Sequence, residues 1–165
     1  SSLFFVTALF ASLSGDIDIN ADQFELDVKQ KQVHAVGSVV VKQDDVTLLS
    51  DRAVYEQVSK IVRLKRNVKV KKESLLLHCD EAVAYEAENE IHALGNVSFN
   101  YQDIRGTSKE VKYDLDEKRV ILVGDPVVRQ GEDLITGETI WVDLEYQRIL
   151  TKGNAKVKLS SERIK

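Results

Sequence analysis

Few residues in this chain have both the type and the spacing that chemistry requires. Its histidines are His34, His78 and His92, and Cys79 is its single cysteine. His34 and His92 hold the same place in a recurring phrase, two copies apart. For strands spaced about 4.8 Å apart, that puts them roughly 9 to 10 Å from each other, too far to share a metal ion. Both fall on the polar side of the pattern with no carboxylate fixed beside them, so acid–base catalysis lacks its second group. His78 and Cys79 are sequence neighbours and point to opposite faces of a strand, with no third or fourth ligand supplied. Cys79 is expected to be a small packing residue, and alone it permits no intrachain disulfide. Asp22, Asp51 and Asp80 resemble stacked calcium ligands until the series continues as Lys109 and Glu138. Without a glycine-rich calcium repeat, these positions are expected at bends. The residues therefore predict no catalytic group, no metal site and no cofactor.

Charge leaves one other kind of chemistry open. Against 27 Asp and Glu the chain sets 23 Lys and Arg, a net charge of −4. That balance argues against nucleic acid as the main partner, since polyanion binders are strongly basic. One basic run stands out, "KIVRLKRNVKVKK" from Lys60 to Lys72, with seven cations and no anion. It reads either as a solvated, lysine-protected strand or as a surface attracted to lipid phosphates or an acidic partner. Arg66 separates the two readings. It can swing out at a bend, or reach the mouth of a cleft and hold a phosphate in its fork of donors.

The elements that must position these residues are set by repetition. "HALGNVSFNY" from His92 returns as "HAVGSVVVKQ" from His34, "RLKRNVKVKK" from Arg63, "ILVGDPVVRQ" from Ile121 and "LTKGNAKVKL" from Leu150, with 29 residues between consecutive starts. Aligned at that interval, the rows headed by Val33, Ala35, Gly37, Val39 and Val41 hold 25 positions, of which only Arg66 is charged. The rows interleaved with them hold ten charged residues. One face is therefore apolar and the other faces water. The first half of each unit changes phase: Ile19 and Ala21 occupy odd positions, Phe24, Leu26 and Val28 even ones, so a residue is absorbed near Asp22 and Gln23. Polar turns such as "KQKQ" and "KQDD" close the strands.

A strand of about 12 residues would run roughly 40 Å if straight. Folding it in half at the glycine row gives a V whose arms face each other, with glycine allowing the sharp corner. Gly124 followed by Pro126 predicts an irregular fourth corner. A parallel β-helix is the competing architecture for this period, and short polar connections favour antiparallel hairpins. The expected fold is all-β: an open β-jellyroll of bent antiparallel strands in five 29-residue repeats.

"INADQFELD", "VGSVVVKQ", "SDRAVYE", "LGNVSFNY" and "VILVGDPVVRQGEDLITGETIWVD" resemble the LptA/OstA family of lipopolysaccharide transport proteins over about residues 18 to 160. The chain departs from the family pattern at Arg66, where glycine is expected. The resemblance implies a jellyroll open at both ends, in the periplasm of a Gram-negative cell. It also implies lipopolysaccharide as ligand, through lipid A, and other Lpt components of the inner- and outer-membrane complexes as partners. The membrane-anchored LptC sibling shares the fold and stays open as an alternative. On the resemblance, the apolar face becomes a groove lined by Val39, Val41, Leu64, Val68, Val70, Val97, Phe99, Leu122 and Val128, with Arg66 as a phosphate contact. On the pattern alone, the same residues are the closed core of a structural scaffold or adhesin. A cupin-like enzymatic jellyroll lacks clustered metal ligands. The edges near Asp18 to Asp27 and Thr151 to Ser160 are expected to join head to tail with further copies or similarly folded partners.

Residues 1–15 read separately. The run from Leu3 to Leu13, followed by small residues, resembles the apolar part of an export signal, with a truncated anchor as the other reading. Eleven apolar residues are too few to span a bilayer, which needs about 20. Residues 16–165 are expected to form one OstA-like domain.

Overall fold

A computed structural model describes residues 16–161, almost entirely as antiparallel β-structure. The apolar segment 1–15 lies outside the described residues. Six long strands form the centre: β3 (Gln32–Gln43), β4 (Val46–Glu56), β5 (Ile61–Lys72), β6 (Leu75–Tyr85), β7 (Glu90–Tyr101) and β8 (Ile104–Asp114). β3, β5 and β7 each begin 29 residues after the one before, as do β4, β6 and β8. Toward both ends the same lengths of chain are split at the corner. β1 (Asp18–Asn20) and β2 (Gln23–Asp27) precede the centre; β9 (Arg119–Val123), β10 (Val127–Gln130), β11 (Asp133–Thr136), β12 (Thr139–Asp143), β13 (Arg148–Lys152) and β14 (Lys156–Lys158) follow it.

One arm runs β1-β3-β4-β5-β6-β7-β8-β10-β11-β14; the other carries β2 beside β3 and ends β8-β9-β12-β13. The long strands pass through both arms, and the sheet never closes on itself. Consecutive strands are neighbours throughout the centre, as expected of hairpins joined by short polar turns.

The corner follows from a bulge repeated in every unit. In β3 the register with β4 steps from Val36↔Arg52 to Val39↔Ser50, so Gly37 and Ser38 together oppose Asp51. Both take left-handed backbone, with φ of 84° and 45°. The next copies do the same at Arg66–Asn67, Gly95–Asn96, Gly124–Asp125 and Gly153–Asn154. On the opposing strand one residue is skipped in the pleat: Val46, Leu48 and Ser50 face inward, then Ala53 and Tyr55. This is the phase change that the sequence shows at Asp22.

The bend positions are stapled. Asn67 donates to Asp51 at 3.0 Å, Asn96 to Asp80 at 2.9 Å and Asn154 to Glu138 at 3.3 Å. In the fourth copy a cation stands on the opposing strand, and Lys109 meets Asp125 at 3.2 Å. A side chain from one strand thus caps the bulge of the next, 16 residues on. The acidic row is spent on corner geometry.

Inward-facing residues from both arms form one continuous core between them. Phe99, the bulkiest member of its row, lies opposite Gly106, where any Cβ would collide with its ring. The missing side chain on β8 makes room for the extra one on β7.

Candidate functional site

The nine expected groove residues come from several strands and meet in one place. Val39 and Val41 on β3, Val68 and Val70 on β5, Val97 and Phe99 on β7 and Val128 on β10 line one arm, and Leu64 on β5 and Leu122 on β9 belong to the other, all within one core. None is more than 3 % exposed. The space between the arms is filled by the protein's own side chains.

Arg66 is not among them. It sits exposed at the corner with φ of 67°, beside Arg52, Lys65, Asn67, Asp80 and Glu81. Of its two expected placements, the structure adopts the outward swing. The left-handed bulge turns its side chain out of the apolar row, and six residues of extended strand, roughly 20 Å, separate it from the hairpin tip at Lys72. That puts Arg66 at the corner and not at the cleft's mouth.

The histidine expectations also change in detail. Each 29-residue unit contributes two strands, so β3 and β7 lie four strands apart, and His34 and His92 are separated by roughly 19 Å rather than 9 to 10 Å. His92 does have a carboxylate beside it: Glu90, two residues back on the same face, lies 3.1 Å from its Nε2, and Lys112 holds the other Glu90 oxygen at 3.3 Å. The group is a partly exposed cross-strand ion network. Cys79 is buried, and burial pushes its thiol up to about 12. Among the described residues, no group of three or more His, Cys, Asp or Glu is placed to hold a metal ion.

The aligned rows do not reveal the seam where the hairpin tips of the two arms meet. Gln43, at the end of β3 in one arm, donates to the Glu86 carboxylate in the β6–β7 turn of the other at 3.1 Å. Tyr55 donates to the second Glu86 oxygen at 3.5 Å. Further along, the Tyr101 hydroxyl donates to the Leu144 carbonyl at 3.2 Å, and Gln147 to Gln102 at 2.8 Å. Burial, and then the charge of Glu86, pushes the Tyr55 phenol up to about 12. Two hollows open on this seam. One of about 310 Å³ lies between Lys72, Tyr101, Tyr113, Lys118 and Leu144. The other, about 40 Å³ and mostly apolar, lies between Val41, Leu48, Val62, Ile91, Glu86 and Asn89.

Glu86 was visible in the sequence. It belongs to the row Val28, Gln57, Glu86, Leu115, Leu144. In that row Leu115 and Leu144 tuck under the mouth at 5 % exposure each, and Glu86 is nearly as buried at 6 %. A carboxylate occupies a leucine's place.

The stack ends differently from its middle. Phe24, Leu26 and Val28 occupy inward-facing rows yet are 42 %, 65 % and 84 % exposed, and Val157 and Leu159 at the other end are 57 % and 66 % exposed. No further strand covers them among the described residues. The first edge carries Asp18, Asp22, Glu25 and Asp27, and the last Lys152, Lys156 and Lys158.

No curated protein matches the chain. Among solved structures it is similar to LptH from Pseudomonas aeruginosa, described as the LptA homologous periplasmic component of the conserved lipopolysaccharide transport device. The identity is 18 % and the TM-score 0.47, with 88 % of this chain and 96 % of that one covered. The sequence profile described as "LptA/(LptD N-terminal domain) LPS transport protein" matches residues 18–148, most of the chain and nearly all of the bent stack, and the chain belongs to that family.

Proposed function

We propose that the protein is a non-enzymatic periplasmic carrier that holds the acyl chains of lipopolysaccharide between its two arms and passes them from the inner toward the outer membrane. The observation that carries this reading is the interior itself: one apolar surface running unbroken through the stack, with no strand over either end among the described residues. Burying an acyl chain gains roughly 0.8 kcal/mol per CH₂, so a chain of about a dozen carbons gains on the order of 10 kcal/mol without covalent chemistry. Lipid A would enter as the arms part, its chains lying against Val68, Val97 and Phe99.

Head-to-tail continuation completes the proposal. An acidic, apolar first edge and a basic, apolar last edge are complementary, and joining them pairs free backbone groups while covering Phe24, Leu26 and Val157. The partner is another copy or a similarly folded Lpt component, and the joined interiors form one path.

A photo-crosslinking residue at position 99 should capture lipopolysaccharide, and one at exposed Asn100 should not. Equal capture at both sites defeats the assignment of inside and outside. No capture, with no lipid bound to the native protein, leaves a permanently closed scaffold, which the full burial of the nine residues favours. A cross-linker at position 157 should reach the first strands of a second molecule. Scattering that stays monomeric at high concentration, with no such product from candidate partners, removes the bridge but not the carrier.

A further inference from the structure

We propose that the β6–β7 turn forms a port at the cleft's mouth for the hydrogen-bond-donating group of an amphiphile: a hydroxyl, amide N–H or ammonium at the head of an alkyl chain. The inference rests on the carrier reading and names a group within its ligand. Glu86 is a buried carboxylate that accepts from two neutral side-chain donors, Gln43 and Tyr55, and the Tyr55 contact is long at 3.5 Å. Asn89, 5 % exposed, spends its amide nitrogen on Asp116 at 2.6 Å, and its Oδ1 is buried without a partner. Both residues line the same hollow of about 40 Å³, whose remaining walls include Val41, Leu48, Val62 and Ile91.

A buried acceptor left unpaired is costly, and a buried carboxylate more so; an incoming ammonium has donors for both, and a hydroxyl or amide N–H for one of them. The hollow admits a group of water or ammonium size. Its apolar walls continue into the core, so a chain attached to that donor runs inward. Leucine at this place, as at positions 115 and 144, would fill the mouth and offer no acceptor. The port therefore selects a donor at the point where chain meets headgroup, and it disfavours a bare anion there because Glu86 faces it.

The test uses the full chain and three single-chain probes below their micelle concentrations: decylammonium, decanol and decyl methyl ether. Titration calorimetry should give affinities about tenfold or more higher for the two donors than for the ether. Glu86→Leu should keep the fold and abolish the preference. Glu86→Gln should keep the preference for decanol and lose the additional affinity of decylammonium, which tells a charged donor from a neutral one. Equal binding of the ether, an undiminished preference in Glu86→Leu, or no binding of any probe overturns the port. If position 99 still captures lipopolysaccharide, the carrier survives that failure; if capture fails as well, both readings fall together.

Discussion

Replacing Arg66 by glycine should make the protein more stable, although it deletes a side chain and adds nothing. Arg66 holds φ of 67° at the first bulge position, where the other copies described here use Gly37, Gly95, Gly124 and Gly153 at φ between 77° and 87°. Left-handed backbone costs an L-residue about 1–2 kcal/mol, and glycine adopts it freely. Glycine's looser unfolded chain returns about 0.4–1 kcal/mol of that. Arg66 is exposed and has no core contact to lose, so Arg66→Gly should gain about 0.5–1 kcal/mol. The reverse change, Gly95→Arg, meets an additional obstacle, because a Cβ there would approach the Asp80 carboxylate at 2.6 Å. It should cost about 1–3 kcal/mol. Urea unfolding at constant m-value reads both, and melting should shift by about 2–4 °C per kcal/mol for a chain of this size. Destabilisation by Arg66→Gly, or neutrality of Gly95→Arg, would refute the claim that left-handed geometry sets residue choice at the corner. The same variant should bind phosphorylated and dephosphorylated lipid in the wild-type ratio, since Arg66 stands away from the mouth.

Gly106→Ala should cost about 1–3 kcal/mol by driving a methyl group into the Phe99 ring. Combining it with Phe99→Leu should recover part of that loss in a double-mutant cycle, and strict additivity would show that the two sites do not touch. Tyr55 should withhold its proton well above the ordinary tyrosine value, as should Tyr113, whose phenol is raised first by burial and then by Glu73 and Asp45 across the mouth. The folded pKa values exceed the unfolded ones, so this contribution to stability is complete below about pH 10 and declines as pH rises through about 12. Tyrosinate absorbance tracked beside the urea midpoint checks it, and early titration of both phenols would contradict their burial. Cys79 should react with thiol reagents only after unfolding, and rapid labelling of the native protein would show that its strand opens.

The repeat made most of the fold legible, because a 29-residue interval exposes which positions never tolerate charge. The odd-to-even switch at Asp22 located the opposing side of each corner, and the glycine row located the bulge. The staple was legible too, in Asp51 with Asn67, Asp80 with Asn96, and the charge-reversed Lys109 with Asp125, but only to a comparison taken 16 residues apart. Cross-arm contacts leave no such trace. Gln43 and Glu86 are 43 residues apart, about one and a half units, and which tips meet depends on how far the two arms close. A row reveals a side chain's direction without revealing its distance from the opposite wall. That is why the nine apolar residues could be named while the choice between groove and filled core could not be made from them. Arg66 had two placements open for a related reason: its row implied an inward direction, which the left-handed bulge cancels.

The filled interior and the proposed cargo are compatible on energetic grounds. Parting the arms breaks the seam, whose cross-arm hydrogen bonds run through Gln43, Tyr101 and Gln147. Each such bond contributes about 0.5–1.5 kcal/mol net, more where a carboxylate accepts, so the seam resists opening by several kcal/mol. Apolar contacts between the arms are exchanged for contacts with the acyl chain instead of being lost to water. A dozen carbons bring on the order of 10 kcal/mol, which exceeds the seam but not by a large margin. A cleft balanced in this way stays shut when empty, opens for a chain of sufficient length and lets that chain move on when an adjoining interior offers equal burial. Shortening the chain to about six carbons should therefore abolish capture at position 99, while Gln43→Ala should restore capture of chains of intermediate length. If chain length makes no difference to capture, burial is not what opens the arms.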